Sequence, residues 1–174
     1  MSEAGKNDKV LFGKTGLMVS PLTYGTWGIG GAGWDDYPDD VRLDAIMAAV
    51  DTGINLIDTA PAYNGGRSEQ YIGEALEQTG RRKDVLITTK TGNDFVDGQY
   101  VRNGKADNIY ALCERSLNNL RTDYIDILLL HWPDPTVPLE ETMTAMSRLK
   151  EQEIVRQNAA YYIEEAAAYA GMEL

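Results

Sequence analysis

The chain has 174 residues, 43% of them hydrophobic, enough for one domain with its own core. A formal net charge of -11 without any basic patch argues against nucleic-acid binding and against anionic membrane surfaces. With one cysteine and one histidine, an internal disulfide framework and an ordinary zinc ligand set are both excluded. Met1 to Lys9 is polar, and no apolar run approaches membrane-spanning length, so the expectation is a soluble cytoplasmic protein.

Residues 10–19, VLFGKTGLMV, set a Gly-Lys-Thr-Gly turn between two apolar stretches and predict a β-hairpin ahead of the main fold. Pro21 to Trp27 reads as a first buried strand. A helix opens at Pro38, turns Val41, Ala45, Ile46, Ala49 and Val50 inward, and stops at Gly53. The run INLID ends a second strand at Asp58. A second helix starts near Ser68, buries Tyr71, Ile72, Ala75 and Leu76, and stops at Gly80. DVLITTK ends a third strand at Lys90, and a polar loop with Gly and Asn follows. The next helix is expected to be capped by Asp107 or Asn108. Its apolar stripe contains Ile109, Leu112, Cys113, Leu117 and Leu120, with Ser116 on the same face, so Cys113 reads as a packed thiol. YIDILLLH ends a fourth strand at His131, and Pro138 opens a fourth helix with Leu139, Met143, Met146 and Leu149 facing in.

Strict β-α alternation, with a repeat of roughly 35 residues, calls for a parallel α/β sheet. A (β/α) barrel has eight such units in typically about 250 residues. Here four to five are visible, so the fold class is α/β, an incomplete barrel of that type behind an N-terminal hairpin. Residues 1–174 read as a single domain. Ile154-Val155-Arg156 begins like a fifth strand, Gln157-Asn158-Ala159-Ala160 does not extend it, and 157–174 reads as an atypical helical tail centred on Ile163 to Tyr169.

Three of the apolar runs end on an ionisable residue: Asp58, Lys90 and His131. A strand buried on both faces needs no charge at its carboxyl end, and in α/β folds that end is where catalytic groups sit. Tyr63 follows the first of them. Tyrosine alone is a poor proton donor at neutral pH; an ammonium beside it favours the phenolate, and a carboxylate keeps that ammonium charged and oriented. A neutral imidazole can hold a substrate carbonyl toward the phenol. The set suits protonation of a carbonyl oxygen while a hydride arrives from a cofactor, since no side chain supplies one.

The run DTAPAYNGGRSEQYIGEAL (58–76) resembles the second-strand signature of the aldo-keto reductases. FGKTGLMVSPLTYGTWGIGG (12–31) is similar to their hairpin and first strand, and ITTK (87–90) and SLNNLRTDYIDILLLHWPD (116–134) to the segments bearing their lysine and histidine. The resemblance implies a TIM barrel and NADPH-dependent reduction of an aldehyde or ketone. It makes Tyr63 the proton donor, Lys90 and Asp58 the pair that tunes it, and His131 the group that orients substrate. Gly25, Thr26 and Trp27, with Asp58, would lie beside the nicotinamide. In the family most other cofactor contacts follow strands five to eight. Asn158 is either a remnant of the fifth-strand Ser-Asn pair or part of a sixth unit joined on by a deletion, and the seventh and eighth units have no counterpart.

Two rival readings accompany this one. Gly28 to Gly33 spells G-x-G-x-x-G after a strand, but a dinucleotide-binding helix must begin inside the glycine run. Here Trp34 to Pro38 intervenes, and Asp35, Asp36, Asp39 and Asp40 would repel phosphate. A βα loop bordering a substrate pocket is the better account. The alternative to an enzyme is a non-catalytic family product that binds no cofactor. Such a half-barrel would self-associate, or pair with another chain, through its open sheet edge.

Overall fold

The computed structural model of the chain describes residues 9–31, 33 and 37–160. It opens with the expected hairpin: β1 (Val10–Leu11) pairs antiparallel with β2 (Met18–Val19). The hairpin is fastened to the sheet below it by Asn55, whose Oδ1 accepts from Ser20 N at 2.6 Å and whose Nδ2 donates to Met18 O at 3.0 Å.

Five strands and four helices then alternate. β3 (Tyr24–Gly25) leads to α1 (Asp39–Asp51), and β4 (Leu56–Asp58) to α2 (Arg67–Thr79). β5 (Leu86–Thr91) is followed by a second hairpin, β6 (Asn93–Val96) and β7 (Gln99–Arg102), before α3 (Ala106–Leu120). β8 (Ile125–Leu130), α4 (Leu139–Glu151) and β9 (Val155–Ala160) complete the described chain. The main sheet runs β3-β4-β5-β8-β9, every neighbour parallel. Parallel neighbours put all carboxyl ends on one rim, which is what positions the site.

The helices pack on one face of this sheet. α1 and α2 close over β4 and β5 through Ile46, Ile57, Ile72, Leu76 and Ile87, while α3 and α4 close over β8 and β9 through Ile109, Leu128, Met146 and Val155. Each such side chain, fully withdrawn from water, contributes about 1.5–3 kcal/mol. On the opposite face Val19, Leu56 and Ile127 meet, so β2 seals the amino end of the sheet. Gly73 lets α2 lie directly on α3; a methyl group there would come within 2.9 Å of Leu120 Cα. No described helix is long and apolar enough to cross a membrane.

Several expectations need correction. The first strand covers two residues rather than Pro21 to Trp27, and it is not fully buried, because β3 pairs only with β4 among the described residues. On α1, Val41 is 47% exposed and Arg42 is 4% exposed. The guanidinium goes inward because it donates to the carbonyls of Ile29 and Tyr37, which the loop before the helix turns toward it. β5 runs one residue past Lys90, and the segment after it is the β6–β7 hairpin, not an irregular loop. Asp97 and Gly98 both have positive φ, the two-residue turn that matches strand twist, so the Asp-Gly pair is its cause. The cap of α3 is Lys105, with no side-chain bond; Asp107 lies in the first turn and Asn108 Nδ2 donates back to Asn103 O. Finally, Gln157 to Ala160 continue the strand that Val155 begins, in register with β8. The helix expected at Ile163 to Tyr169 and the loop aspartates Asp35 and Asp36 lie outside the described residues.

Candidate active site

Asp58 ends β4, Lys90 is the fifth residue of β5, and His131 follows β8, its amide bonded to Thr91 O at 2.9 Å. The register aligns these ends side by side: Asp58 opposes Thr88, and Lys90 opposes Leu129. Tyr63 sits in the turn after β4, its amide bonded to Ala60 O at 3.0 Å. Asn64, Gly65 and Gly66 then all take positive φ, reversing the chain so that α2 can begin at Arg67.

Lys90 is the centre of the arrangement. Its side chain is 1% exposed, against 28% for Asp58. Nζ donates to Asp58 Oδ1 at 2.7 Å, to Thr59 O at 2.8 Å and to Tyr63 Oη at 3.0 Å. An ammonium has three donors, and here each has an acceptor. Burying a charge is costly unless it is paired and hydrogen-bonded, and this one is both. Because Tyr63 Oη accepts from Lys90, the phenol keeps its own O–H as a donor. The ammonium also lies 4.8 Å from the Tyr63 ring centre.

The His131 ring meets Tyr63 edge-on, with centroids 6.0 Å apart and an interplanar angle of 80°. Burial, and secondarily the Lys90 charge, lower its pKa from 6.5 to about 4. The imidazole is therefore neutral at physiological pH, able to donate from one nitrogen and accept at the other. Tyr63 and His131 open into a cavity of about 550 Å³ whose walls include Trp27, Tyr100, Arg102 and Trp132.

This geometry, an ammonium shared between a carboxylate and a phenol beside a neutral imidazole, sits on the carboxyl rim of a parallel sheet. The sequence profile of the aldo/keto reductase family matches residues 21–159. The chain belongs to the aldo/keto reductase family. It is 44% identical over 135 residues to an aldo-keto reductase of Bacillus subtilis, YhdN, covering 78% of this chain and 41% of the relative. It is 36% identical over 163 residues to the NADH-specific methylglyoxal reductase of Escherichia coli, covering 85% of this chain and 50% of that one. The chain thus spans about half the length of the curated relatives it matches. Among solved structures, a holo aldo-keto reductase from Bacillus halodurans superposes with a TM-score of 0.79 at 30% identity, over 94% of this chain and 55% of that one. An aldo-keto reductase from Klebsiella pneumoniae in complex with NADPH gives a TM-score of 0.66 at 30% identity, over 83% and 46%.

Of the residues singled out from the sequence, the fold brings Asp58, Tyr63, Lys90, His131 and Trp27 to one place. Thr26 is fully buried behind it: its Oγ1 donates to Asp58 O at 2.8 Å, and its carbonyl accepts from Ser68 Oγ. Gly25 lines a separate apolar cleft with Tyr24, Ile29 and Tyr37. Asn158 Nδ2 donates to Met146 O of α4, so its amide faces the helix layer rather than the cavity. The sequence pointed to residues 92–105 as a pocket-shaping loop but did not single out Asn93, Tyr100 or Arg102; the Asp97-Gly98 pair between short alternating runs was the available signal for the hairpin that carries them.

Proposed function

We propose that this chain carries the proton-handling site of an NADPH-dependent carbonyl reductase acting on an aldehyde or ketone. The observation behind this reading is Lys90, buried and donating to both Asp58 and Tyr63 at the edge of the cavity. In this reading Tyr63 gives its proton to the substrate carbonyl oxygen. Negative charge developing on the phenol oxygen is met by the Lys90 ammonium, which Asp58 and Thr59 O hold in place. The neutral His131 donates to the same carbonyl oxygen and keeps it facing the phenol.

The residues present fit a nicotinamide ring. Trp27 and Trp132 offer flat apolar faces in the same cavity as the phenol, and Asp58 keeps part of its surface open. Trp27 and Asp58 would border that ring, and Gly25 and Thr26 would shape the strand end behind it. When bound, the reduced nicotinamide supplies the hydride that attacks the carbonyl carbon, so hydride and proton together give the alcohol.

The test is a titration of NADPH, and separately NADH, against Trp27 and Trp132 fluorescence, followed by turnover with an uncharged aldehyde. Micromolar binding and consumption of the reduced cofactor are expected. No binding of either at millimolar concentration would refute the enzyme reading and leave the non-catalytic one. Tyr63→Phe should keep cofactor binding and lose the reduction; unchanged turnover would remove Tyr63 from the role of donor.

A further inference from the structure

The cavity above Tyr63 has one wall that the reductase chemistry does not use. That wall is the β6–β7 hairpin, which contributes Asn93, Tyr100 and Arg102. It is held firmly. Arg115 of α3 grips Asp94 with two bonds of 2.9 and 2.6 Å, and Asn103 N donates to Gly92 O at 3.0 Å. Gly104 N donates to Asp134 Oδ2 at 3.1 Å, and Thr142 Oγ1 donates to Gly104 O at 2.6 Å. Asn93, 4% exposed, lies directly across the ladder from Arg102.

Arg102 lies over the Trp132 ring at 4.9 Å from its centre. A cation–π contact of this kind does not use up the N–H donors of the guanidinium. Among the described residues no carboxylate pairs with Arg102, and none lines the cavity. The contrast with Arg115, whose two terminal nitrogens both bond Asp94 of the same hairpin, is direct. Of the other groups at the site, Lys90 has already placed its three protons, and His131 is neutral. Among the described residues, Arg102 is thus the one cation without a carboxylate partner that faces the cavity, in a chain whose net charge is -11.

We propose that Arg102 selects carbonyl substrates that carry a carboxylate at the end remote from the reacting carbonyl, as semialdehydes, keto acids and formyl-aryl acids do. The inference rests on the reductase reading of the same cavity: the carbonyl lies between Tyr63 and His131 while the carboxylate meets the guanidinium fork. A planar carboxylate matches that fork with two parallel hydrogen bonds. Arg102 is solvent-exposed, so the effect of the pairing is modest and sensitive to salt.

The experiment compares 4-formylbenzoate with 4-formylbenzamide, which share a shape and differ in charge. Binding to the full chain is followed by tryptophan fluorescence, with and without NADPH. The carboxylate should bind about threefold to fivefold more tightly than the amide. Arg102→Gln should abolish that difference without changing the affinity for the amide or for NADPH, and Arg102→Lys should restore part of it. Equal affinities in the native chain, no binding of either aldehyde, or a preference that survives in Arg102→Gln would each overturn the proposal. So would a variant that loses NADPH instead, since the guanidinium would then serve the cofactor. Turnover separates the two readings. Reduction of the amide with no carboxylate preference would sink this inference and spare the reductase; charge-selective binding without turnover would do the reverse.

Discussion

The sheet buries an ion pair at each end, and the two ends use the same ingredients for different purposes. At the amino end Asp126 of β8, its side chain 1% exposed, accepts from Arg82 Nη2 at 2.8 Å, Arg156 Nη1 at 2.8 Å and Ile87 N at 3.0 Å. The two guanidinium groups flank the Tyr124 ring at 4.1 and 4.2 Å. There the charges end on one another and on the backbone. At the carboxyl end Lys90 does the same with Asp58 and Thr59 O, but its third bond goes to a phenol that faces a cavity. A buried ion pair is therefore not a mark of function in itself. What separates the ends is whether a group touching the pair also touches open space, the division between stability and chemistry expected of parallel barrels.

The largest expected effect breaks the carboxyl end alone. Tyr63→Phe should lower turnover by about 10²–10⁴-fold, the usual worth of a positioned proton donor, while the melting temperature falls only slightly, through the one Lys90 bond it removes. A large fall in melting temperature would show the phenol to be structural, like Asp126. At the amino end, Asp126→Ala takes the buried partner from Arg82 and from the Ile87 amide, while half-exposed Arg156 turns to water, and should cost about 3 kcal/mol in urea denaturation. Cofactor and substrate affinities of the folded variant should not move. A loss below about 1 kcal/mol would mean that the arginines find water at no penalty.

Two titrations sharpen the contrast. His131 is the one histidine in the sequence, so its C2–H resonance is uniquely assignable. With the folded pKa lowered from 6.5 to about 4, that resonance should stay flat from pH 8 to about pH 5. The linked stability is fully present above 6.5 and is lost as pH falls toward 4, because the unfolded chain takes up the proton first. A midpoint near 6.5 in the folded protein would show that the imidazole is solvated. The smallest effect lies between the two ends, at Glu69. It is buried under β5, where it accepts from Thr89 Oγ1 at 2.7 Å and Asn119 Nδ2 at 3.0 Å, and burial raises its pKa above 4.5. Here the sign reverses: stability is full below 4.5 and declines as pH rises through the folded value. Glu69→Gln should flatten that decline in urea midpoints measured from pH 5 to 8, and an unaltered slope would contradict it.

Local chemistry along the chain carried most of this architecture. Apolar runs, glycine stops and the prolines at 38 and 138 located α1, α2, α4, β4, β5 and β8 to within about two residues. Cys113 was placed in the core by its neighbours, and it is buried there with its pKa pushed up to about 12. The misreadings share a cause. Val41 looked inward by hydropathy, but Arg42 wins the inner position because two loop carbonyls need its donors. Gln157 and Asn158 looked unlike a strand, yet β9 forms because β8 offers an unpaired edge and the backbone, not the side chains, makes that ladder.

The order of strands and helices, and the fact that three strands end in an acid, an amine and an imidazole, follow from residue type and spacing alone. Tyr63 joined that set by its place just after Asp58, and the family resemblance gave it the role of proton donor. That Lys90 donates at once to partners 27, 31 and 32 residues away follows from strand register and the left-handed turn at Asn64–Gly66. Register is a property of paired chains, invisible in either strand by itself. The same holds for Arg102, which only the folding of the second hairpin over Trp132 brings to the wall of the cavity.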